Sequence, residues 1–224
     1  MAPLLLPHSG PPMWGGAEFG YSLIVAAFCL LIFFQTKGMF DLTRYKGIKY
    51  FRNAFLLLGL AYAARLFFGI FMLSNKALGI FVPMHGPPPY LLVIAGYLST
   101  MAIFYLIYST MWKKIAEDHF LMVANISAVV LTVATMIHRS PLVLGILQLV
   151  LLLVAVIVNF ISDPKNKKVS QIRVLYLLVL VFWLLDVAIL GPRRFLPFGV
   201  RVLFQVFSLG VFLVMYYKVR KWVR

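Results

Sequence analysis

Long apolar runs alternate along this chain with short clusters of Lys, Arg, Pro and Gly. Seven such runs can be drawn, at about 17 to 35, 51 to 73, 90 to 112, 120 to 137, 141 to 160, 172 to 190 and 198 to 217. A helix rises ~1.5 Å per residue, so ~20 residues cross a hydrocarbon layer ~30 Å thick. The pattern therefore predicts an all-α integral membrane protein, a seven-transmembrane-helix bundle forming a single domain over residues 1–224. The fourth and fifth runs are the least separated, because only His138, Arg139, Ser140 and Pro141 interrupt the stretch from Phe120 to Ile161. One helix of about 40 residues would extend roughly 60 Å, twice the membrane core, so a tight hairpin is expected, with Pro141 in the first turn of the returning helix.

Composition sharpens this picture. Hydrophobic residues make up 63% of the 224 and charged residues 12%, against about 25% charged in soluble domains. A water-soluble fold is excluded. The net charge of +15 would suggest nucleic acid in a soluble protein, but its distribution is a topology signal. With the N-terminus outside, the inner segments hold Lys37, Arg44, Lys46, Lys49, Arg52, Lys113, Lys114, Lys165, Lys167, Lys168, Arg173, Lys218, Arg220, Lys221 and Arg224. The outer segments hold Lys76, Arg139, Arg193, Arg194 and Arg201, and Arg65 lies within the second span. Fifteen against five predicts N-terminus outside and C-terminus cytoplasmic, in the plasma membrane. The first sixteen residues lack Lys and Arg, so no cleaved signal peptide is expected. The basic loops suit anionic headgroups of the bilayer and, as the functional alternative, a cytoplasmic protein partner; no nucleic acid is needed. Leu42 to Arg52 places Leu42, Tyr45, Ile48 and Phe51 at three-residue spacing, which predicts a short helix lying in the inner interface. Ser74 to Pro89, with three consecutive prolines, reads as a stiff outer loop.

Candidate chemistry begins with Arg65 and Asp186, the two charges well inside spans. Each costs on the order of 2.5–3.5 kcal/mol at mid-helix, so each is a functional hypothesis. Arg65 follows Arg52 by thirteen residues, and Asp186 follows Arg173 by thirteen, so the two groups share a depth and can pair. Small and polar residues at helical spacing mark faces turned from lipid. They are Glu18, Ser22, Ala26 and Cys29 in the first span, Gly96, Thr100, Ile103 and Thr110 in the third, and Asn125, Ala128, Thr132 and Thr135 in the fourth. Gly145, Gln148, Leu152, Ala155 and Asn159 follow in the fifth, Tyr176, Trp183 and Asp186 in the sixth, and Arg201, Gln205 and Ser208 in the seventh. Glu18, Arg65, Asp186 and Arg201 belong to the outer half, while the inner half offers mainly Thr110, Asn159 and tyrosines. These predict an outward-opening polar site of Arg65, Asp186, Glu18, Arg201, Gln205 and Trp183 for a small anionic or zwitterionic molecule, rimmed by His85, His138, Arg139, Arg193 and Arg194.

None of His8, His85, His119 and His138 is mid-span, which argues against haem or a metal centre, and no cofactor is expected. Cys29 is the single cysteine and excludes an internal disulfide. No nucleophile with a base, HExxH or phosphate-binding loop is present, so enzyme activity is not expected. The topology resembles heptahelical rhodopsins and receptors, and also seven-span sugar transporters built as three helices, a linker helix and three more. A retinal protein needs a Lys in the seventh span, and Phe198 to Tyr217 contains none. The matched spacings of Arg65 and Asp186 fit a repeat of spans one to three in spans five to seven, although the transporters' Pro-Gln motif is missing. Every Pro lies outside the span interiors, which favours a receptor or sensor-like module, signalling through a cytoplasmic partner, over a transporter or channel with broken helices. A structural subunit of a membrane complex is the third class.

Overall fold

A computed structural model describes residues 13–77, 89–138, 141–162, 167–190 and 197–223. The proline-rich stretch up to residue 88, Arg139, and Arg193 with Arg194 lie outside them. The described residues form seven helices and no strand: α1 (Met13–Thr43), α2 (Lys46–Ala77), α3 (Pro89–Met111), α4 (Glu117–His138), α5 (Pro141–Ser162), α6 (Lys167–Leu190) and α7 (Phe198–Val223). Six of them, all but α6, are long and apolar enough to cross a membrane. Helix is the natural answer in lipid, because each backbone N–H and C=O is satisfied within its own segment.

Helix ends follow local chemistry. Pro89 and Pro141 open α3 and α5, where a missing N–H costs nothing. Glu117 and Asp118 occupy the first turn of α4, and Arg220 and Lys221 the last turn of α7, each opposite in sign to the adjacent end of the helix dipole.

The expected interfacial helix over Leu42 to Arg52 is replaced by an elbow. α1 continues to Thr43, and α2 already begins at Lys46. Arg44 sits between them at φ 52°, its N–H donating to the Phe40 carbonyl at 2.8 Å, the left-handed cap that commonly ends a helix. Three-residue apolar spacing cannot distinguish one surface helix from two helix ends meeting at a tight reversal. The reversal brings Gly47 against α3, where a Cβ would stand 2.8 Å from the Ser109 carbonyl oxygen.

Six helices form a closed ring. α1 packs on α2, α2 on α3, α3 on α5, α5 on α6, α6 on α7, and α7 on α1. α4 packs on α3 and α5 and stands outside. Its Ala124, Ala128, Thr132 and Thr135 face the ring, while Met122, Val123, Ile126, Val129 and Val130 are exposed, as a lipid-facing stripe would be. Ring neighbours α1 and α2 run antiparallel: a Cβ on Gly59 would stand 3.1 Å from that of Cys29, and one on Gly69 3.5 Å from Phe19. α1 and α7 run parallel, with Tyr21 bonded to Ser208 and Gln35 to Tyr216. α3 and α5 do the same, with Gly96 against Leu144 and Ser99 bonded to Gln148. The polar stripes read from the sequence are buried on α5, α6 and α7, at Gln148, Asn159, Tyr176, Trp183, Asp186, Arg201, Gln205 and Ser208.

The elbow generates a paired prediction. Arg44→Gly should stabilise the protein by about 1 kcal/mol, because glycine removes the Cβ cost of the left-handed region. Gly47→Ala should destabilise it by about 1–3 kcal/mol through overpacking against backbone. Melting of the detergent-solubilised protein reads both signs, and a destabilised Arg44→Gly would contradict the cap.

Candidate functional site

Most buried polar side chains fall in two layers. The layer nearer the N-terminus of α1, outer in the expected orientation, draws side chains from all six helices of the ring. On α5, Gln148 Nε2 donates to Ser99 Oγ at 2.7 Å and to Thr100 Oγ1 at 3.0 Å, both on α3. Its Oε1 accepts from Trp183 Nε1 of α6 at 3.3 Å. One glutamine thus ties three helices together with both ends of its amide used. Across the ring, Tyr21 Oη of α1 and Ser208 Oγ of α7 share a hydrogen bond of 2.8 Å.

Between these clusters α2 faces α6. Arg65 Nη1 donates to Asp186 Oδ2 at 3.4 Å. No Cα of α2 comes within 8 Å of one in α6 among the described residues, so side-chain length alone bridges the gap. Tyr62 lies beneath the pair, its ring centroid 4.7 Å from the guanidinium carbon. That ring also meets Tyr21 edge-on at 6.1 Å and Phe182 at 6.2 Å. The Asp186 side chain is more covered than its partner: side-chain exposure is 9% for Asp186 and 36% for Arg65.

The inner layer is larger than the sequence suggests. Gln35 Nε2 donates to Tyr216 Oη at 3.0 Å, joining α1 to α7. Tyr176 Oη of α6 donates to the Leu106 carbonyl of α3 at 2.6 Å and also bonds Ser109. Thr36 and Asn159 are buried nearby in the sequence register of this layer. The reading of an inner half holding mainly Thr110, Asn159 and tyrosines overlooked Gln35, Thr36 and Ser109, because single polar residues in apolar runs carry no sign of whom they meet. Apolar residues separate the layers, with Phe182 and Phe212 edge-on at 4.5 Å and Ile103 and Leu152 fully buried.

Of the residues singled out in the sequence, Arg65, Asp186 and Trp183 come together in the outer layer. Gln205 and Arg201 are buried on α7, one and two turns before Ser208. Glu18 does not join them: it is exposed, one turn beyond buried Ser22 on α1. A carboxylate at a helix end reaches a polar environment more cheaply than it can be buried without a cation. Of the expected rim, His85, Arg139, Arg193 and Arg194 lie outside the described residues, as does the side chain of His138. Sequence reasoning missed Tyr21, Tyr62 and Ser99. The adjacent pair Ser99 and Thr100 in an apolar span was the available signal, whereas the two tyrosines look like ordinary aromatic filler.

Opening either polar tie should be measurable. Gln148→Leu orphans an indole N–H and should cost about 1 kcal/mol, the scale of interhelical hydrogen bonds in membranes. Arg65→Leu or Asp186→Leu leaves a lone charge and should cost about 3–5 kcal/mol. The exchange Arg65→Asp with Asp186→Arg should recover part of that loss. Reversible unfolding in mixed micelles ranks the four proteins, and equal stabilities would remove the pair from any structural role.

No family model matches the sequence, and no solved structure matches it. A protein of Archaeoglobus fulgidus, described as uncharacterized, is 32% identical over 229 residues, covering 98% of each chain. Similarity of that extent spans every helix and the ends of the ring alike, so the chain belongs to one family with this uncharacterized archaeal protein.

Proposed function

We propose that all seven helices cross the plasma membrane, with the N-terminus outside and the C-terminus cytoplasmic, and that the protein is a small-solute transporter of three-plus-one-plus-three architecture. One observation carries this reading. α1–α3 and α5–α7 complete a ring without α4, and the two triplets meet at its centre through Arg65 and Asp186. Transporters built from repeats hold their substrates at such an interface, and movement of one half against the other exposes the site to alternate sides. The apolar band containing Phe182 and Phe212 separates the outer polar layer from the inner one, as a closed barrier would.

A receptor-like module is the second reading, favoured by the face opposite the site. Lys46 and Lys49 of the elbow reach Glu117 at 4.0 and 3.9 Å, and Leu42 and Tyr45 are exposed beside them. Such a mixed basic and apolar surface suits a cytoplasmic partner.

Two measurements test these statements. Ala116→Cys in a Cys29→Ala background should react with an impermeant maleimide in inverted vesicles and not in intact cells; the reverse labelling would invert the topology. In proteoliposomes, counterflow of radiolabelled amino acids, sugars or carboxylates should be saturable and fall at least tenfold in Arg65→Ala. Binding of a solute without any flux would favour the receptor reading instead.

A further inference from the structure

The two triplets correspond residue by residue. Moving Ala54, Phe55, Leu58, Ala61 and Tyr62 of α2 by 121 positions lands each on a buried residue of α6, and the same shift carries Arg65 onto Asp186. On α3, a shift of 109 takes buried Gly96, Ser99, Ile103 and Leu106 onto buried positions of α7, with Ser99 falling on Ser208. On α1, a shift of 127 takes Tyr21 onto Gln148. The bonds then correspond as well. Tyr21 with Ser208 is the counterpart of Gln148 with Ser99, and the ring contact of Tyr62 with Tyr21 is the counterpart of Trp183 with Gln148. The packing obeys the same exchange, since α1 on α7 becomes α5 on α3, both parallel. Arg65 and Asp186 are therefore equivalent positions facing each other across the axis of a parallel internal repeat, and they carry opposite charges.

We propose that this axial pair binds a small zwitterion, its carboxylate on Arg65 and its ammonium on Asp186. The inference rests on the reading of the chain as a solute-handling membrane protein. The guanidinium carries five N–H donors, and within the described residues its contacts are one oxygen of Asp186 and the ring of Tyr62. About a third of the Arg65 side chain is exposed, and a guanidinium with one partner oxygen keeps donors for a second anion. A free anion that displaced Asp186 would leave a buried carboxylate uncompensated, and a free cation would do the same to Arg65, each outcome strongly unfavourable. A zwitterion replaces both halves of the pair at once and leaves the net charge of the site at zero. Tyr62 and Trp183, equivalent across the axis, are buried one turn before the two charges on their own helices, and Tyr62 packs its face against the guanidinium. Exchange of an internal ion pair for a zwitterion also supplies a reason for the halves to separate, because the pair is the link between α2 and α6.

The test compares split and joined charges on the intact protein. Detergent-solubilised protein is melted at fixed ionic strength with glycine, β-alanine, 4-aminobutyrate or glycine betaine, and with acetate or methylammonium alone. At least one zwitterion should raise Tm by about 2 °C or more through ligand linkage, with neither single ion doing so. The shift should vanish in Arg65→Gln. It should persist in the exchange Arg65→Asp with Asp186→Arg, because equivalent positions on an axis present the same two charges after the swap. A response to acetate or methylammonium equal to that of the zwitterions, or no response to any zwitterion, overturns the proposal. Flux of another solute with no zwitterion binding would sink this inference and leave transport standing, whereas zwitterion binding without flux would keep this site and sink transport.

Discussion

A charge placed in the middle of a membrane protein has to meet an opposite charge, because neither lipid nor an apolar core can solvate it. Arg65 and Asp186 meet that constraint at 3.4 Å across the centre of a helix ring. The helices that carry them do not touch through their backbones, so the ring must hold α2 and α6 at a separation that long side chains can span. That requirement explains the heavy packing around the pair. Tyr62 fills the space under the guanidinium, Phe182 fills the space under the carboxylate side, and both belong to the buried core.

The remaining polar ties do different work. Gln148 joins α5 to α3 and α6, and Tyr21 joins α1 to α7, each between ring neighbours. Interhelical hydrogen bonds of this kind contribute about 0.6 kcal/mol on average in membranes, so they fix rotation and register more than they hold the ring together. Close approach supplies the rest: Gly59 lies against Cys29, and Gly96 lies against Thr132 and Leu144. The central pair is of another kind. Breaking it costs more, because either charge left alone in the core has no counter-ion. The structure is thus fastened by close packing and hydrogen bonds between ring neighbours and electrostatically across its centre.

Much of this was legible in residue pattern because the bilayer imposes a length and because burial in a helix imposes a period. Gly145, Gln148, Leu152, Ala155 and Asn159 step along α5 by threes and fours, and all five are buried. Equal spacing of Arg65 and Asp186 from Arg52 and Arg173 put both at one depth. Where period was the only guide it failed: Glu18 shares a face with Ser22 yet is exposed, since face does not say whether a neighbouring helix extends that far. The elbow at Arg44 was illegible for a related reason, because a left-handed residue other than glycine leaves no mark in hydropathy.

Sequence by itself determined the solvent, the number of apolar runs, the helices that fill them and the depth of each charge, because these depend on one-dimensional spacing against a fixed membrane thickness and helical pitch. Only tertiary structure decided which helices are neighbours. It put α4 outside the ring, set Tyr21 against Ser208 and Gln148 against Ser99, and turned two isolated charges into a pair across the ring. Those choices depend on how seven similar greasy surfaces fit together, and lipid supplies no hydrophobic drive to rank them; small residues, close contacts and a few polar side chains make the selection.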